Sequence, residues 1–353
     1  MQALKRHLRR LLRTRVDLRS ARHKISAPDE AGHEQLLAPG VRVYRDGPVL
    51  VDREWSPIHV TSQFIEDAET YHQRYFERLD FVDLVARCLT LAGIDREAAL
   101  RVEDIGSGGG SSVFAACRLL PNAEIFATDI SPQLLRLLGN FVESRDELRG
   151  RVRPWCFDLH RRFFRPASFD LVLGAAILHH LLDPRAALAN VADGLKPGGK
   201  LILVEPLESG SLVMTMLYAR VLEVLAAAGN EDGDTDGPLA RLMKALRLDI
   251  QCRLGPPAPK PWTALLDDKW IFDEPYLMQL AGELGLSKVE IHPVQEDLSH
   301  VYEVAFRSVL ADSGNAALAI PEPVTSAVRE FDRSIGPELK LHLCPTGIIV
   351  FTK

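Results

Sequence analysis

The chain has 353 residues, 46% hydrophobic and 25% charged, a composition that excludes a disordered or fibrous protein and fits a globular one. Its five cysteines are an odd number without any C-x-x-C pair, which argues against a disulfide framework or zinc ribbon and for a reducing cytoplasm. The net charge of −6 conceals a divided chain: residues 1–24 carry nine Lys/Arg against Asp17, a net +8, leaving −14 for the remainder.

Leu4, Leu8, Leu11, Leu12 and Val16 recur at helical spacing among those N-terminal arginines. A basic amphipathic helix of this kind either makes peripheral contact with an anionic membrane or packs its apolar stripe on the protein body. Arginines interrupt the apolar stretch that a secretory signal needs, whereas an organellar transit peptide shares this composition. Residues 25–60 read as an irregular accessory segment with short strands such as "VRVYRDGPVLV" (41–51). Apolar residues at helical period then run from about 62 to 92.

From residue 100 short apolar runs alternate with helical stretches. Strands are predicted at 100–106, 124–130, 152–158, 169–176 and 200–206, with helices at about 111–119, 131–147 and 183–195. Strand and helix in alternation define an α/β fold, a doubly wound, mostly parallel sheet. After Pro206 the rhythm breaks. A largely apolar helix is predicted at about 211–229, where Arg220 and Glu223 interrupt any membrane span. An acidic loop (230–237), a second helix (238–250) and a proline-rich connector (255–261) follow. The alternation resumes with a helix at 273–285, a sixth strand at 287–294 and, some fifty residues later, a seventh at 346–353. The organisation expected is an accessory segment (1–60), a core (61–206), a helical cap insertion (207–270) and the rest of the core (271–353), interrupted by a second insertion at about 295–345.

The stretch "VEDIGSGGGSS" (102–112) runs from strand through glycine-rich turn into helix. A dinucleotide fingerprint needs G-x-G-x-x-G, and Ser111 stands where its third glycine belongs. No G-K-[ST] follows, so the turn is no P-loop either. What remains is G-x-G-x-G preceded by Asp104. With "FATDIS", "CFDLH", "FDLVLGAAILHHLLDP" and "LKPGGKLILVEP" in order after it, the chain resembles the class I S-adenosylmethionine-dependent methyltransferases. Within them it is most similar to small-molecule enzymes of the quinone-biosynthesis kind, whose fourth strand also runs into a "LHHL" turn.

The resemblance implies a seven-stranded Rossmann-like sheet, S-adenosylmethionine as cofactor and a small-molecule methyl acceptor. Gly106, Ser107, Gly108 and Gly110 would let the backbone pass close to the cofactor's amino-acid tail, and the helix start near Ser111 would favour its carboxylate. Asp104 would help place the ammonium and Asp129 would accept from the ribose hydroxyls. Asp158 would accept from the adenine amino group, with Ile130 and Leu159 flanking the ring. Tyr71 and Arg74, on a helix that the family folds over the cofactor, are further cofactor contacts, and Tyr75 faces substrate; aromatic packing is the other reading of these tyrosines.

His179 and His180 follow the fourth strand beside the expected methyl position and are the candidate general bases; a turn held by histidine–backbone hydrogen bonds is the alternative. Glu205, ending the fifth strand on the same edge, either orients substrate or caps local structure. Ligands sit at the carboxyl ends of parallel strands, so both insertions should cap the methyl group. The apolar helix at 211–229 is either buried or lines an apolar pocket, and the second reading points to a hydroxyl on a lipid, quinone-like or natural-product molecule. A related protein that binds the cofactor without methylating anything, or a docking scaffold, would share these motifs. The acidic body has no aromatic-interleaved basic face, which disfavours nucleic acid, and no residue cluster shows metal-ligand spacing.

Overall fold

The computed structural model describes residues 35–56, 79–228 and 237–353. Each predicted strand forms. They are β3 (Arg101–Ile105), β4 (Glu124–Asp129), β5 (Val152–Cys156), β6 (Phe169–Ala175), β7 (Leu195–Pro206), β8 (Lys288–Pro293) and β9 (Thr346–Thr352). Two more precede them: β1 (Val43–Asp46) and β2 (Val49–Asp52) form an antiparallel hairpin from the segment read as irregular. β2 adds itself in parallel to β5 through Leu50↔Trp155 and Val51↔Cys156, so the seven-stranded sheet is extended to nine. The order is β1-β2-β5-β4-β3-β6-β7-β9-β8, with β9 antiparallel to both β7 and β8.

Alternation along the strands builds two cores. Leu201 and Leu203 join Phe126, Trp155 and Phe169 on one face, beneath α4 (Pro184–Gly194) and α7 (Glu274–Glu283). Ile202 joins Val102, Ile125 and Leu171 on the other, beneath α1 (Leu79–Leu91), α2 (Ser111–Leu119) and α3 (Pro132–Glu143). Side chains of a strand point to opposite faces, so one apolar run feeds both cores. Capping residues stop the helices where the sequence demands it. Ser131 accepts from Leu134 N ahead of Pro132, and Asp183 accepts from Ala186 N ahead of Pro184.

The cap has a core of its own. It comprises α5 (Glu208–Ala228), α6 (Pro238–Arg253), α8 (Val301–Asp312) and α9 (Glu322–Ser334), and Leu217, Tyr218, Val221, Met243, Val301, Tyr302 and Val324 close its centre. α5 is long and apolar enough to cross a membrane by length and composition. Its buried stripe, however, faces the other cap helices and not the cavity described below, so of the two readings of this helix the buried one holds and the pocket-lining one does not. The cap is pinned internally by Lys340 and Asp332, an ion pair at 2.8 Å with both side chains at most 2% exposed.

α5 also crosses the backbone near Cys344 closely. A β-carbon on Gly210 would stand 2.1 Å from the Cys344 carbonyl carbon, which has no rotamer by which to retreat. Gly210→Ala is therefore expected to destabilise the protein by about 2–3 kcal/mol, read as a lower denaturation midpoint in urea. An unchanged midpoint would mean that the helix can slide off this contact at no cost.

Candidate active site

β3 ends in the glycine turn, and the turn is shaped by its neighbour β4. Ser107 N donates to Thr128 O at 3.0 Å and Gly108 N to an Asp129 carboxylate oxygen at 2.9 Å. The other Asp129 oxygen accepts from Ser131 N at 2.7 Å, so one side chain fixes both the turn and the exit from β4. Gly106, Gly108 and Gly110 have φ of 64°, 51° and 101°. L side chains rarely adopt this region, and at Gly106 a β-carbon would also meet the Ile177 side chain at 2.5 Å.

These residues open on a cavity at the carboxyl ends of β3–β6. Gly106, Gly108, Asp129, Ile130, Asp158 and Leu159 form one part of its wall, and Ile177, His180, Leu181, Leu182, Asp267 and Lys269 another. Asp104, Ser107 and Gly110 stand behind the turn and are not in the wall. Asp104 is 1% exposed, and neither of its carboxylate oxygens accepts a well-formed hydrogen bond among the described residues; the Ser107 hydroxyl is orphaned likewise. Burial pushes the Asp104 carboxyl up to about 7; the nearby Ser112 hydroxyl opposes this and Asp129 reinforces it. A buried acid without a donor is what a cationic ligand group would satisfy.

Asp158 lies just after β5 and accepts from both His160 N and His160 Nδ1, at 3.0 and 2.7 Å. His160 Nε2 accepts in turn from Asp183 N at 3.2 Å, which assigns its proton to Nδ1. Trp55, beyond the N-terminal hairpin, donates its indole N–H to Ile130 O at 2.8 Å and ties the accessory segment to the cavity rim.

The turn after β6 is held by Glu205 at the end of β7. Glu205 is fully buried, and its oxygens accept from Ile177 N, Leu178 N and His179 N at 3.0, 2.7 and 3.3 Å. His179 Nδ1 adds a fourth contact at 2.6 Å. Glu205 is thus consumed by the chain itself, and its expected part in orienting substrate is corrected to a structural one. His179 is corrected as well. Burial works against its charge, but the Glu205 and Asp268 carboxylates outweigh that and raise its pKa to about 9, so at neutral pH it already carries the proton a general base would have to take. His180 differs: burial and the charge of His179 push it down to about 4, and its Nδ1–H donates to Asp267 O at 2.9 Å. Ala176, at the start of this turn and in the cavity wall, has φ 55°, a strain that the Glu205 clamp holds in place.

The cap loop closes on this turn. Lys269 N donates to His179 O at 2.8 Å and Trp270 Nε1 to Leu181 O at 2.7 Å. Asp268 sits 3.6 Å from His179 Nε2 and 3.5 Å from Arg253 Nη1. His179, His180 and Asp268 also bring one ligand atom each within 4.8 Å of one another, a juxtaposition that chain spacing conceals because Asp268 lies in the cap. Asp267 and Lys269 are the cap's described contributions to the wall, and the second insertion supplies none. Tyr71, Arg74 and Tyr75, like residues 1–24, lie outside the described residues.

An open mostly parallel sheet, a glycine turn before a helix, and acids at the ends of successive strands define a nucleoside-binding Rossmann-like domain. Residues 104–201 match the family described as a methyltransferase domain. Over that stretch the chain is similar to the class I S-adenosylmethionine-dependent methyltransferases, the quinone-biosynthesis O-methyltransferases among them, and the likeness supports S-adenosylmethionine as the cofactor. It is 37% identical over 107 residues to the ubiquinone biosynthesis O-methyltransferase of Xanthomonas euvesicatoria, covering 30% of this chain and 43% of that one. It is 30% identical over 186 residues to the trans-aconitate 2-methyltransferase of Pseudomonas aeruginosa, covering 52% of this chain and 61% of the relative. The chain thus spans about half the length of the curated relatives it matches. Among solved structures, phosphoethanolamine N-methyltransferase 2 of Haemonchus contortus bound to S-adenosyl-L-methionine overlaps 76% of this chain and 50% of its own length, with 16% identity and a TM-score of 0.42.

Proposed function

We propose that the protein transfers the methyl group of S-adenosylmethionine to an oxygen of a small, partly apolar molecule. One observation carries the reading: a single cavity is walled both by the glycine turn with its strand-end acids and by a second group in which Ile177, Leu181 and Leu182 accompany His180. When bound, the cofactor supplies a methyl group on a positively charged sulfur that is already a good leaving group. The protein's task is to bind, orient and exclude water, and holding the acceptor oxygen about 3–3.5 Å away in line supplies several kcal/mol.

In this reading Asp129 accepts from the ribose hydroxyls and Asp158 from the adenine amino group, while Ile130 and Leu159 cover the ring. Gly106, Ser107, Gly108 and Gly110 give the amino-acid tail its approach, and Asp104 answers its ammonium from behind the turn. His180, neutral at working pH, takes the place of His179 as the group able to receive the acceptor's proton. Tyr71, Arg74 and Tyr75 remain assigned to cofactor and substrate by the resemblance alone. The five free cysteines fit a reducing compartment, and we place the protein in the cytoplasm, with peripheral membrane contact through residues 1–24.

The test is incubation of the purified protein with methyl-labelled S-adenosylmethionine and a set of phenolic, aliphatic and carboxylic acceptors. Label transferred to an acceptor oxygen, with S-adenosylhomocysteine released in equal amount, is the expected result. Acceptor turnover without S-adenosylhomocysteine would show that the site runs a different reaction.

A further inference from the structure

The cavity wall contains a lysine with no ion-pair partner among the described residues. Lys269 is only 6% exposed, and it lines the cavity where the cap loop meets the turn after β6. It donates to Leu266 O at 2.8 Å and to Asp267 O at 3.2 Å. An ammonium has three protons, and two carbonyls account for two of them. Among the described residues no carboxylate stands within ion-pair distance of it. Asp268, next in the chain, is turned away toward His179 and Arg253.

A buried cation normally has an ionic partner, because desolvation costs several kcal/mol that carbonyls alone repay poorly. Ile177, Leu181 and Leu182 give the wall an apolar part beside Lys269, although Asp267 and His180 also line it. The cost shows in the group itself, since burial lowers the Lys269 pKa against the opposing pull of Asp267 and Asp268. Nor is the position free to drift. The backbone of Lys269 is fixed to His179 O and that of Phe272 to Pro206 O, and the Leu266 and Asp267 carbonyls hold the ammonium against this loop.

We propose that the methyl acceptor bears a carboxylate and that Lys269 binds it, as a specificity-determining residue of the cap. The inference rests on the methyl-transfer reading of this cavity and deepens it by naming the charge of the acceptor. The carboxylate takes the third ammonium proton, and the apolar body of the molecule lies along Leu181 and Leu182.

The test titrates three acid–amide pairs (4-hydroxybenzoate, trans-cinnamate and decanoate, each against its primary amide) into wild-type, Lys269→Met and Lys269→Arg proteins. Each titration is run with and without saturating S-adenosylhomocysteine. In the wild type at least one acid should bind at least tenfold more tightly than its amide, roughly the worth of one charge-assisted hydrogen bond. Lys269→Met should bring that ratio near one and Lys269→Arg should retain it, with S-adenosylhomocysteine affinity unchanged in both as the measure of an intact fold. A lysine that merely ties the loop together would not alter the acid-to-amide ratio. If no acid outbinds its amide in the wild type, or if Lys269→Met keeps the preference, the proposal is overturned. Loss of S-adenosylhomocysteine binding by the wild type would instead overturn the methyl-transfer reading, while the acid-to-amide ratio would still judge Lys269.

Discussion

Asp129→Ala is expected to weaken S-adenosylhomocysteine binding by roughly 100- to 1,000-fold, the equivalent of about 3–4 kcal/mol. Two losses combine. The carboxylate no longer meets the ligand's ribose, and Gly108 N loses the acceptor that holds the glycine turn in its positive-φ form. Asp129→Asn separates them, because a carboxamide oxygen still accepts from one backbone N–H; it should retain most of the fold of the turn and lose about tenfold in affinity. Calorimetric titration of the three proteins measures this. Equal affinity in wild type and Asp129→Ala would show that the ligand does not touch this carboxylate, and the cofactor assignment along β4 would have to be abandoned.

The second large effect belongs to stability. Glu205→Gln should cost about 3–5 kcal/mol of unfolding free energy, since a buried acceptor of four donors is replaced by one that brings donors of its own. It should also change the pH dependence. His179 is raised from an ordinary 6.5 to about 9, so its contribution is complete below about 6.5 and is lost as pH climbs through about 9. Asp268 is depressed instead, its burial outweighed by His179 and Arg253, so its contribution is lost as pH falls below the usual carboxylate range. Wild-type stability from this cluster therefore peaks in mildly acidic solution and declines toward pH 9. In Glu205→Gln, where the imidazolium has lost its nearest counter-charge, the alkaline decline should flatten. Urea denaturation at pH 6 and pH 9 distinguishes the outcomes, and a loss below 1 kcal/mol with an unchanged alkaline limb would show that the carboxylate is no clamp.

The contrast between Asp129 and Glu205 marks how far the sequence could be read. Both are acids at the carboxyl end of a parallel strand, and local pattern treats them alike. Asp129 belongs to an ordered set of motifs, each a short apolar run bounded by glycine, proline or an acid, and such runs predict strands well because both faces of this sheet are buried. The role of Glu205 depends on where the backbone of Ile177–His179 points, which no spacing reveals. Lys269 and Asp268 were hidden for a related reason: they reach the cavity through a fold that brings residues ninety positions apart together, and a loop after a proline-rich connector has no periodicity to read. Other omissions had a signal. Val324, Ala327, Val328 and Phe331 recur at helical spacing in the second insertion, and so do Tyr302, Phe306 and Leu310; both helices could have been placed. The hairpin was visible as strands, but its attachment to β5 was not, because only two residue pairs make it.

The divided cap has a consequence for biosynthesis. Its core is assembled from two stretches of chain, α5–α6 and α8–α9, with α7 and β8 of the sheet domain between them. On the ribosome Leu217, Tyr218 and Val221 emerge about eighty residues before Val301 and Tyr302, which cover them. At synthesis rates of about 5–20 residues per second that interval lasts roughly 4–16 s, far longer than hydrophobic collapse takes. During it the nascent protein presents α5 with only α6 made to pack on it and an apolar face still uncovered, the form of surface that holdase chaperones recognise. Yield of folded protein in cells should therefore depend more on how fast the segment from 254 to 300 is translated than on the final stability of either domain.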